Sequence, residues 1–386
     1  MSDFFWPPDA ARQATTIQLL EQWPEFIADR EASGGVATFR LCTAWPEAPR
    51  ERDLLIMSAD PDAASAPRLA ARVDAVGGGL ITAGAGRVGL RYGDASYALL
   101  GDLPEAHWPA LAAFLACNFA PHDALCLAMA WRPAASVGAR VQPGDGIADG
   151  AAVRSGEGAW PDDLSRFPRI ADLPAPPPRF ARGRDRIGLY PVVPSADWIE
   201  RLAPLGLGTL QLRVKSDDAD HVRSEVARAV SAASAYDVPL YINDHWQAAI
   251  DAGAYGVHLG QEDLQTADLA AISAAGLRLG LSTHGYYEIL LAQHFSPSYI
   301  ALGAVFPTTT KAMPTAPQGL AKLVHYVRLL DGRVPHLAIG GIDLARLPAV
   351  RATGAGGAAF VRAVTEAKDL AMSVQALKRA FDDNGL

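Results

Sequence analysis

The sequence predicts an α/β protein of two domains, in which a (β/α)8 TIM barrel forms the C-terminal half and follows a separate mixed α/β domain. Three observations support this prediction. The chain has 386 residues, more than one domain usually contains. A segment rich in proline, arginine and glycine interrupts it. After that segment, short apolar runs alternate with alanine-rich stretches of helical spacing.

The interrupting segment reads DLPAPPPRFARGRDR and lies at 172–186. Its prolines and its alternating arginines and glycines are typical of an exposed, semi-rigid linker. We therefore expect an N-terminal α/β domain at 1–170, a linker at 171–186 and the barrel at 187–386.

The apolar runs after the linker predict eight strands. They lie at 187–194, 208–215, 239–244, 255–260, 278–284, 299–306, 335–341 and 358–364. A doubly wound open sheet would also alternate strands and helices. In a barrel, however, the chemistry collects at the C-terminal ends of the strands, and the polar residues of this sequence are concentrated at those ends.

Charge and hydrophobicity argue against several classes of protein. A net charge of -8 argues against a general nucleic-acid-binding protein. The longest apolar runs are too short to cross a bilayer, and the first residues lack the pattern of a secretory signal. We therefore expect a cytoplasmic protein with no membrane partner. Cys42, Cys117 and Cys126 lack metal-ligand spacing and are expected to be buried thiols.

Three polar residues alternate at the end of the second predicted strand. Gln211, Arg213 and Lys215 are spaced so that their side chains point to the same side. They form either a solvated strand edge or a recognition surface. At a barrel mouth, the two cations would bind a multiply charged anion such as a diphosphate. We favour recognition because the residues stand at the C-terminal end of a strand.

Two aspartates follow successive strands. Asp244 ends the third predicted strand and Asp263 follows the fourth, so their carboxylates can converge. Each alone is more typical of a helix N-cap than of a metal ligand. Together, beside Arg213 and Lys215, they predict a Mg2+ site, because Mg2+ prefers oxygen ligands and commonly takes one or two protein carboxylates with phosphate and water.

Glycines mark the ends of the last two strands, in AIGGI at 338–342 and GAGGAAFVRAV at 354–364. Glycine lets backbone N–H groups approach a phosphate, although tight turns also require it. His284 ends the fifth predicted strand and is a candidate substrate contact. His258 has apolar neighbours and is as consistent with a core position as with catalysis.

Several motifs, in chain order, resemble the thiamine-phosphate synthase family. They are LQLRVK, YINDHWQAAIDAGAYGVHLGQEDL, GLSTH, YIALGAVFPTTTK and LAIGGI, and the resemblance covers about 187–365. It implies a Mg2+-dependent transferase acting on small molecules, which joins an aminopyrimidine carrying a hydroxymethyl diphosphate to a thiazole phosphate and releases pyrophosphate. The alternatives are an isomerase like the thiazole tautomerases and a catalytically silent barrel that binds thiamine precursors. A homo-oligomer is left open.

The resemblance also implies roles for individual residues. The pyrimidine diphosphate is held by Gln211, Arg213, Lys215, Asn243, Ser282 and Lys311, and Mg2+ by Asp244 and Asp263. The thiazole phosphate is held by Thr308, Thr309, Thr310, Gly341, Val361 and Arg362. Arg213, Lys215 and Lys311 are expected to be catalytic, because they would neutralise the negative charge that develops on the leaving diphosphate.

Three positions depart from the family pattern. The family usually has glutamate where Val214 stands, aspartate where Tyr255 stands and serine where Arg362 stands. Val214 is expected to face away from the site. Arg362, a long cation in place of a small hydroxyl, would either strengthen phosphate binding or crowd it.

The N-terminal domain carries weaker signals. GAGRVG at 84–89 matches a dinucleotide-binding pattern, but strand-like residues follow it, so we expect a hairpin. HWPALAAFLACNFAPHDALCLAMAWR at 107–132 predicts a helical pair. This pair distantly resembles the closing helices of the hydroxymethylpyrimidine phosphate kinases, without the family's glycine-rich anion loop, which implies a degenerate kinase fold.

Overall fold

The computed structural model describes residues 4–26, 39–58, 66–132, 160–308 and 316–382. The chain divides into two compact units, Met1–Leu173 and Pro174–Leu386. The described residues include no helix long and apolar enough to cross a membrane.

The first unit contains a seven-stranded sheet in the order β1 to β7. Its strands are β1 (Phe5–Trp6), β2 (Arg40–Cys42), β3 (Asp53–Ser58), β4 (Gly79–Gly84), β5 (Arg87–Tyr92), β6 (Ala95–Leu100) and β7 (Arg169–Ile170). Neighbours are parallel from β1 to β4 and antiparallel from β4 to β7. Gly84 pairs with Arg87 across a tight turn, which confirms the predicted hairpin.

The helices described beside this sheet include α1 (Ala10–Glu21), α2 (Ala66–Asp74), α3 (Trp108–Ala116) and α4 (Pro121–Ala130). The last two confirm the predicted helical pair, and nearly all of their residues are buried. An aromatic cluster packs against α3, where the rings of Trp23 and Phe114 stack with centroids 4.8 Å apart. The three cysteines are free and buried, as expected.

The second unit is a closed barrel of eight parallel strands, which confirms the predicted fold. The strands are β8 (Gly188–Val193), β9 (Leu210–Leu212), β10 (Leu240–Asn243), β11 (Gly256–Leu259), β12 (Arg278–Thr283), β13 (Tyr299–Leu302), β14 (His336–Ala338) and β15 (Gly357–Phe360). Closure occurs where β15 pairs with β8, Gly357 lying opposite Gly188.

The helices around the barrel are α5 (Ala196–Leu202), α6 (Ala219–Ser234), α7 (Trp246–Asp251), α8 (Leu269–Ala274), α9 (Tyr286–His294), α10 (Gly319–Leu330), α11 (Leu347–Ala352), α12 (Arg362–Thr365) and α13 (Leu370–Asp382). The longest, α6, shows why they form. Asp218 accepts hydrogen bonds from the backbone N–H groups of Asp220 and His221 and so caps its start. Val222, Val226 and other residues at helical spacing are buried on one side.

Some predicted strands are too long. The sequence placed Arg362 on the eighth strand, but β15 ends at Phe360 and Arg362 begins α12. The backbone turns there because the N–H of Thr365 donates to the carbonyl of Val361 and that of Glu366 to the carbonyl of Arg362, which are helical bonds. A run of apolar and β-branched residues does not reveal this change.

A layer of tyrosines fills the barrel beneath its C-terminal end. Tyr190, Tyr241 and Tyr299 are all almost fully buried. Adjacent strands leave room for the rings by having glycine beside them. A Cβ at Gly256 would lie 2.6 Å from the ring of Tyr241, and one at Gly280 would lie only 2.5 Å from the hydroxyl of Tyr299.

Candidate functional site

A cavity of about 430 Å3 opens at the C-terminal ends of the barrel strands. Every strand, or the loop after it, contributes to its lining. From the strands come, among others, Val192, Gln211, Asn243, His258, Ser282, Thr283, Ala359 and Phe360. Because side chains alternate along a strand, the cavity residues stand two positions beyond the tyrosine layer, as Val192 does beyond Tyr190 and Asn243 beyond Tyr241.

The structure brings most of the predicted site residues to this cavity. The lining includes Gln211, Arg213, Asn243, Asp244, Asp263, Ser282, His284, Thr308, Gly341, Val361 and Arg362. Lys215 is exposed and lies outside the lining. Thr309, Thr310 and Lys311 lie outside the described residues.

Strand β9 and the two residues that follow it are divided between the cavity and the core. Gln211 is buried at 3% exposure and Arg213 is half-buried, and both line the cavity. Val214, between the two cations, is buried outside the lining, as alternation predicts. Its carbonyl lies 3.2 Å from Nε2 of His245. The unusual valine therefore does not alter the cavity wall.

The carboxylates of Asp244 and Asp263 are hydrogen-bonded to each other at the cavity. Burial, followed by the charge of Asp263 and the hydrogen bond with it, raises the pKa of Asp244 to about 6, and the charge of Arg213 opposes this rise. Two carboxylates this close favour either a shared proton or a cation between them. The donor set therefore fits Mg2+, with most of the remaining ligands left to phosphate and water.

The geometry of the two aspartates differs from that of helix caps. Asp244 has a left-handed backbone, with φ of 63°. Helix α7 begins after His245 without a side-chain cap. Asp263 stands at the start of a short 3-10 turn, and its Oδ2 accepts a hydrogen bond from the backbone N–H of Gly260 at 3.2 Å. No group of three or more His, Cys, Asp or Glu side chains able to hold a metal occurs within the described ranges.

His284 is held by the carboxylate of Glu288, which is not among the predicted site residues. Oε2 of Glu288 accepts from the backbone N–H of His284 at 2.9 Å and lies 2.7 Å from its Nδ1. This contact turns the other ring nitrogen away from Glu288, on a ring that lines the cavity. The spacing of four residues at a helix start could have revealed the pair.

His258 is both a core residue of the barrel and a residue of the cavity lining, the two environments between which the sequence did not decide. It is buried at 5% exposure in the barrel, and it lines the cavity. Its Nδ1 lies 2.7 Å from the hydroxyl of Tyr299 and its Nε2 lies 2.8 Å from Oγ of Ser282. The hydroxyl of Tyr299 in turn lies 2.6 Å from that of Tyr190. No sequence pattern indicated the role of these tyrosines.

The rim of the cavity combines glycine with arginine. Gly340 and Gly341 have φ of 101° and 64°, a backbone that favours glycine. Nη1 of Arg346 donates to the carbonyl of Gly341 at 2.6 Å, which steadies this loop. Arg362 is exposed at the rim, at the start of α12.

The remaining departure from the family pattern lies away from the cavity. Tyr255 precedes β11, at the end of the strand opposite the cavity. The guanidinium carbon of Arg278 lies 3.9 Å from its ring centroid, which is a cation–π contact. The tyrosine therefore contributes to packing at the base of the barrel.

Comparison with known proteins adds an independent observation. A family model described as "Thiamine monophosphate synthase" matches residues 189–364. Thiamine-phosphate synthase of Pectobacterium atrosepticum is 52% identical over 203 residues, covering 53% of this chain and 95% of the relative. That of Neisseria meningitidis serogroup A is 57% identical over 193 residues, covering 50% of this chain and 94% of the relative.

Among solved structures, the thiamine phosphate pyrophosphorylase from Pyrococcus furiosus is 25% identical, with a TM-score of 0.45 over 51% of this chain and 96% of that one. The match to the family model lies in the barrel. The sequence relatives are matched over nearly their whole length. Through its barrel, this chain belongs to the thiamine-phosphate synthase family.

Proposed function

We propose that the barrel joins 4-amino-2-methyl-5-(diphosphomethyl)pyrimidine to thiazole phosphate, giving thiamine phosphate and pyrophosphate. The observation that carries this proposal is the convergence of Gln211, Arg213 and Asn243 with the Asp244 and Asp263 pair in one cavity. A diphosphate needs cations, an aminopyrimidine needs amide partners, and the two carboxylates suit a metal that neutralises the leaving group.

The proposed reaction is a dissociative displacement. The C–O bond to the diphosphate breaks, the electron-rich aminopyrimidine carries the resulting cation, and the thiazole nitrogen attacks it. Bound Mg2+, held by Asp244 and Asp263, would neutralise charge on the diphosphate. Arg213 binds the same group from the cavity wall, and Asn243 orients the pyrimidine. No protein nucleophile is needed for this chemistry.

Two lysines complete the proposed diphosphate site. Lys215 is exposed beyond Arg213 and outside the cavity lining, so its assignment requires the side chain to reach inward when the substrate binds. The assignment of Lys311 rests on its sequence motif. Both would neutralise the leaving diphosphate.

The thiazole phosphate is proposed to bind at the rim. Thr308, Gly341, Val361 and Arg362 line the same cavity as the diphosphate residues. Backbone N–H groups near glycine suit a phosphate, and a rim arginine adds charge. Thr309 and Thr310 are assigned to this site by sequence, and His284 as a further substrate contact.

Pyrophosphate release tests the proposal. Purified full-length protein is incubated with both substrates and Mg2+, and pyrophosphate and thiamine phosphate are measured against reactions lacking either substrate. Release that requires both substrates is expected. A folded protein that releases none would overturn the proposal in favour of an isomerase or a silent precursor-binding barrel, alternatives that the retained aspartate pair does not favour.

We propose a cytoplasmic location, small-molecule substrates without nucleic-acid or membrane partners, and an N-terminal unit that forms a separate domain with a degenerate, truncated fold of the hydroxymethylpyrimidine phosphate kinases. A homo-oligomer is compatible with the site. Size-exclusion chromatography with light scattering measures the last of these directly.

A further inference from the structure

A chain of hydrogen bonds runs through the interior of the barrel and joins two cavity residues. Nε2 of Gln211 donates to the hydroxyl of Tyr190 at 3.4 Å, and that hydroxyl lies 2.6 Å from the hydroxyl of Tyr299. Tyr299 reaches Nδ1 of His258 at 2.7 Å, and Nε2 of His258 reaches Oγ of Ser282 at 2.8 Å. The chain begins and ends at the cavity lining.

The chemistry of the groups gives this chain a direction. The amide nitrogen of Gln211 can only donate, so the oxygen of Tyr190 accepts from it. The proton of Tyr190 then goes to Tyr299, and the proton of Tyr299 to Nδ1 of His258. A neutral imidazole that accepts at Nδ1 carries its proton on Nε2, which donates to Ser282.

The tyrosines keep the protons that this direction requires. Burial raises the pKa of both Tyr190 and Tyr299 well above the usual value, so both are neutral near pH 7. The ring of Tyr299 is also confined, because it fills the space beside Gly280 on the next strand. The chain is thus held by packing as well as by hydrogen bonds.

We propose that His258, Tyr299 and Tyr190 are positioning residues that fix which hydrogen-bonding groups Gln211 and Ser282 turn toward the substrate. With its nitrogen committed to Tyr190, Gln211 offers Oε1 to the cavity as an acceptor. With its oxygen accepting from His258, Ser282 offers its hydroxyl proton as a donor. The barrel interior thereby sets the donor and acceptor pattern of its own binding site.

The pattern has a consequence for specificity, which rests on the proposed function. An acceptor at Gln211 matches the exocyclic amino group of an aminopyrimidine and opposes an oxo group at the same ring position. The donor of Ser282 matches a ring nitrogen or a diphosphate oxygen. The chain therefore selects a 4-aminopyrimidine over its 4-oxo analogue, because the analogue leaves buried acceptors facing each other.

Two variants break the chain without removing a ring. Tyr299→Phe and Tyr190→Phe are compared with Tyr241→Phe, which makes the same change in the same aromatic layer, at a hydroxyl outside this chain. We expect KM for the pyrimidine diphosphate to rise about tenfold in the first two, and the preference for the 4-amino substrate to fall about tenfold, while kcat changes less. The control is expected to stay within about twofold of the wild type.

Histidine NMR tests the direction of the chain without an activity assay. In protein labelled with 15N-histidine, His258 is assigned by its loss in His258→Gln, and its proton is expected on Nε2. A proton on Nδ1 would overturn the proposal, as would unchanged KM and preference in Tyr299→Phe. If the wild type releases no pyrophosphate, the proposed function fails, whereas the tautomer measurement still decides the direction of the chain.

Discussion

Gly280 and Tyr299 face each other across neighbouring strands, and the tyrosine ring occupies the space that a side chain at position 280 would fill. The smallest residue on β12 thus makes room for a tyrosine ring on β13. This pairing places a hydroxyl between His258 and Tyr190, directly beneath the cavity.

The first prediction concerns this pairing. Gly280→Ala is expected to lower the free energy of unfolding of the barrel by about 1–3 kcal/mol, because the new methyl group must displace the ring. Urea denaturation measures the change. In a Tyr299→Leu background, the same alanine should cost clearly less, so the two substitutions should couple. Simple additivity in this double-mutant cycle would contradict the pairing.

The second prediction concerns the aspartate pair. Asp244→Asn and Asp263→Asn each remove a carboxylate from the proposed metal site, so the Mg2+ concentration for half-maximal pyrophosphate release should rise by about tenfold or more. The matched control is Asp251→Asn, at an exposed position at the end of α7. An unchanged Mg2+ requirement in Asp244→Asn or Asp263→Asn would contradict the assignment of that aspartate as a metal ligand.

The third prediction concerns the rim arginine. Arg362→Ser is expected to raise KM for the thiazole phosphate by about tenfold and to leave kcat nearly unchanged, because a charged hydrogen bond to phosphate is lost. Steady-state kinetics at two ionic strengths separate this effect from misfolding, since the wild type should be the more salt-sensitive. Arg379→Ser, on the last helix, serves as a control. A lower KM in Arg362→Ser would show instead that the arginine crowds the substrate.

The fourth prediction concerns pH. His325 is buried in α10, and burial, followed by the charge of Arg328, lowers its pKa to about 4. The unfolded histidine, with its ordinary pKa, takes up a proton first as the pH falls, so stability is lost between about pH 6.5 and pH 4. From about pH 7 to pH 5, the wild type should lose about 2 kcal/mol more than His325→Gln.

Urea titrations of both proteins at the two pH values measure that difference. His325→Gln is expected to be less stable than the wild type at neutral pH and to respond less to acid. Parallel pH dependence of the two proteins would show that His325 does not titrate differently on unfolding.

The fifth prediction concerns the first unit. Nε and Nη2 of Arg40 donate to the two oxygens of Asp53 at 2.8 and 2.7 Å, and both side chains are about 95% buried. Asp53→Ala leaves the guanidinium buried without its partner and should cost about 3–5 kcal/mol. Asp74→Ala, which removes the partly exposed partner of Arg91, should cost at most about 1 kcal/mol. Equal losses of unfolding free energy in the two variants, measured by urea denaturation, would contradict this difference between a buried and a partly exposed ion pair.

The sequence was sufficient to predict the barrel and many of the residues that line the cavity, because both depend on local patterns. Alternation along β9 and the residues directly after it places Gln211 and Arg213 at the cavity and turns Val214 away, and the C-terminal ends of parallel strands bring Asp244 and Asp263 together. The glycines at the ends of the last strands are likewise recognisable from short stretches of sequence.

What the sequence did not reveal depends on closure of the barrel. Tyr190 and Tyr299 are 109 residues apart, and their hydroxyls meet only across the interior. Tyrosine in an apolar run carries no indication of such a partner. The place where β15 gives way to α12 at Arg362 was also missed, because the residues of that segment suit a strand and a helix alike.

The depth of the cavity has a kinetic consequence. Gln211 and Asn243 are buried at its inner end, whereas Arg362 is exposed at its rim. If the pyrimidine diphosphate binds among the buried residues and the thiazole phosphate binds at the rim, as proposed, the rim substrate would block the path of the inner one. Loading is then ordered, with the pyrimidine diphosphate entering first, and excess thiazole phosphate should trap the empty enzyme and slow turnover.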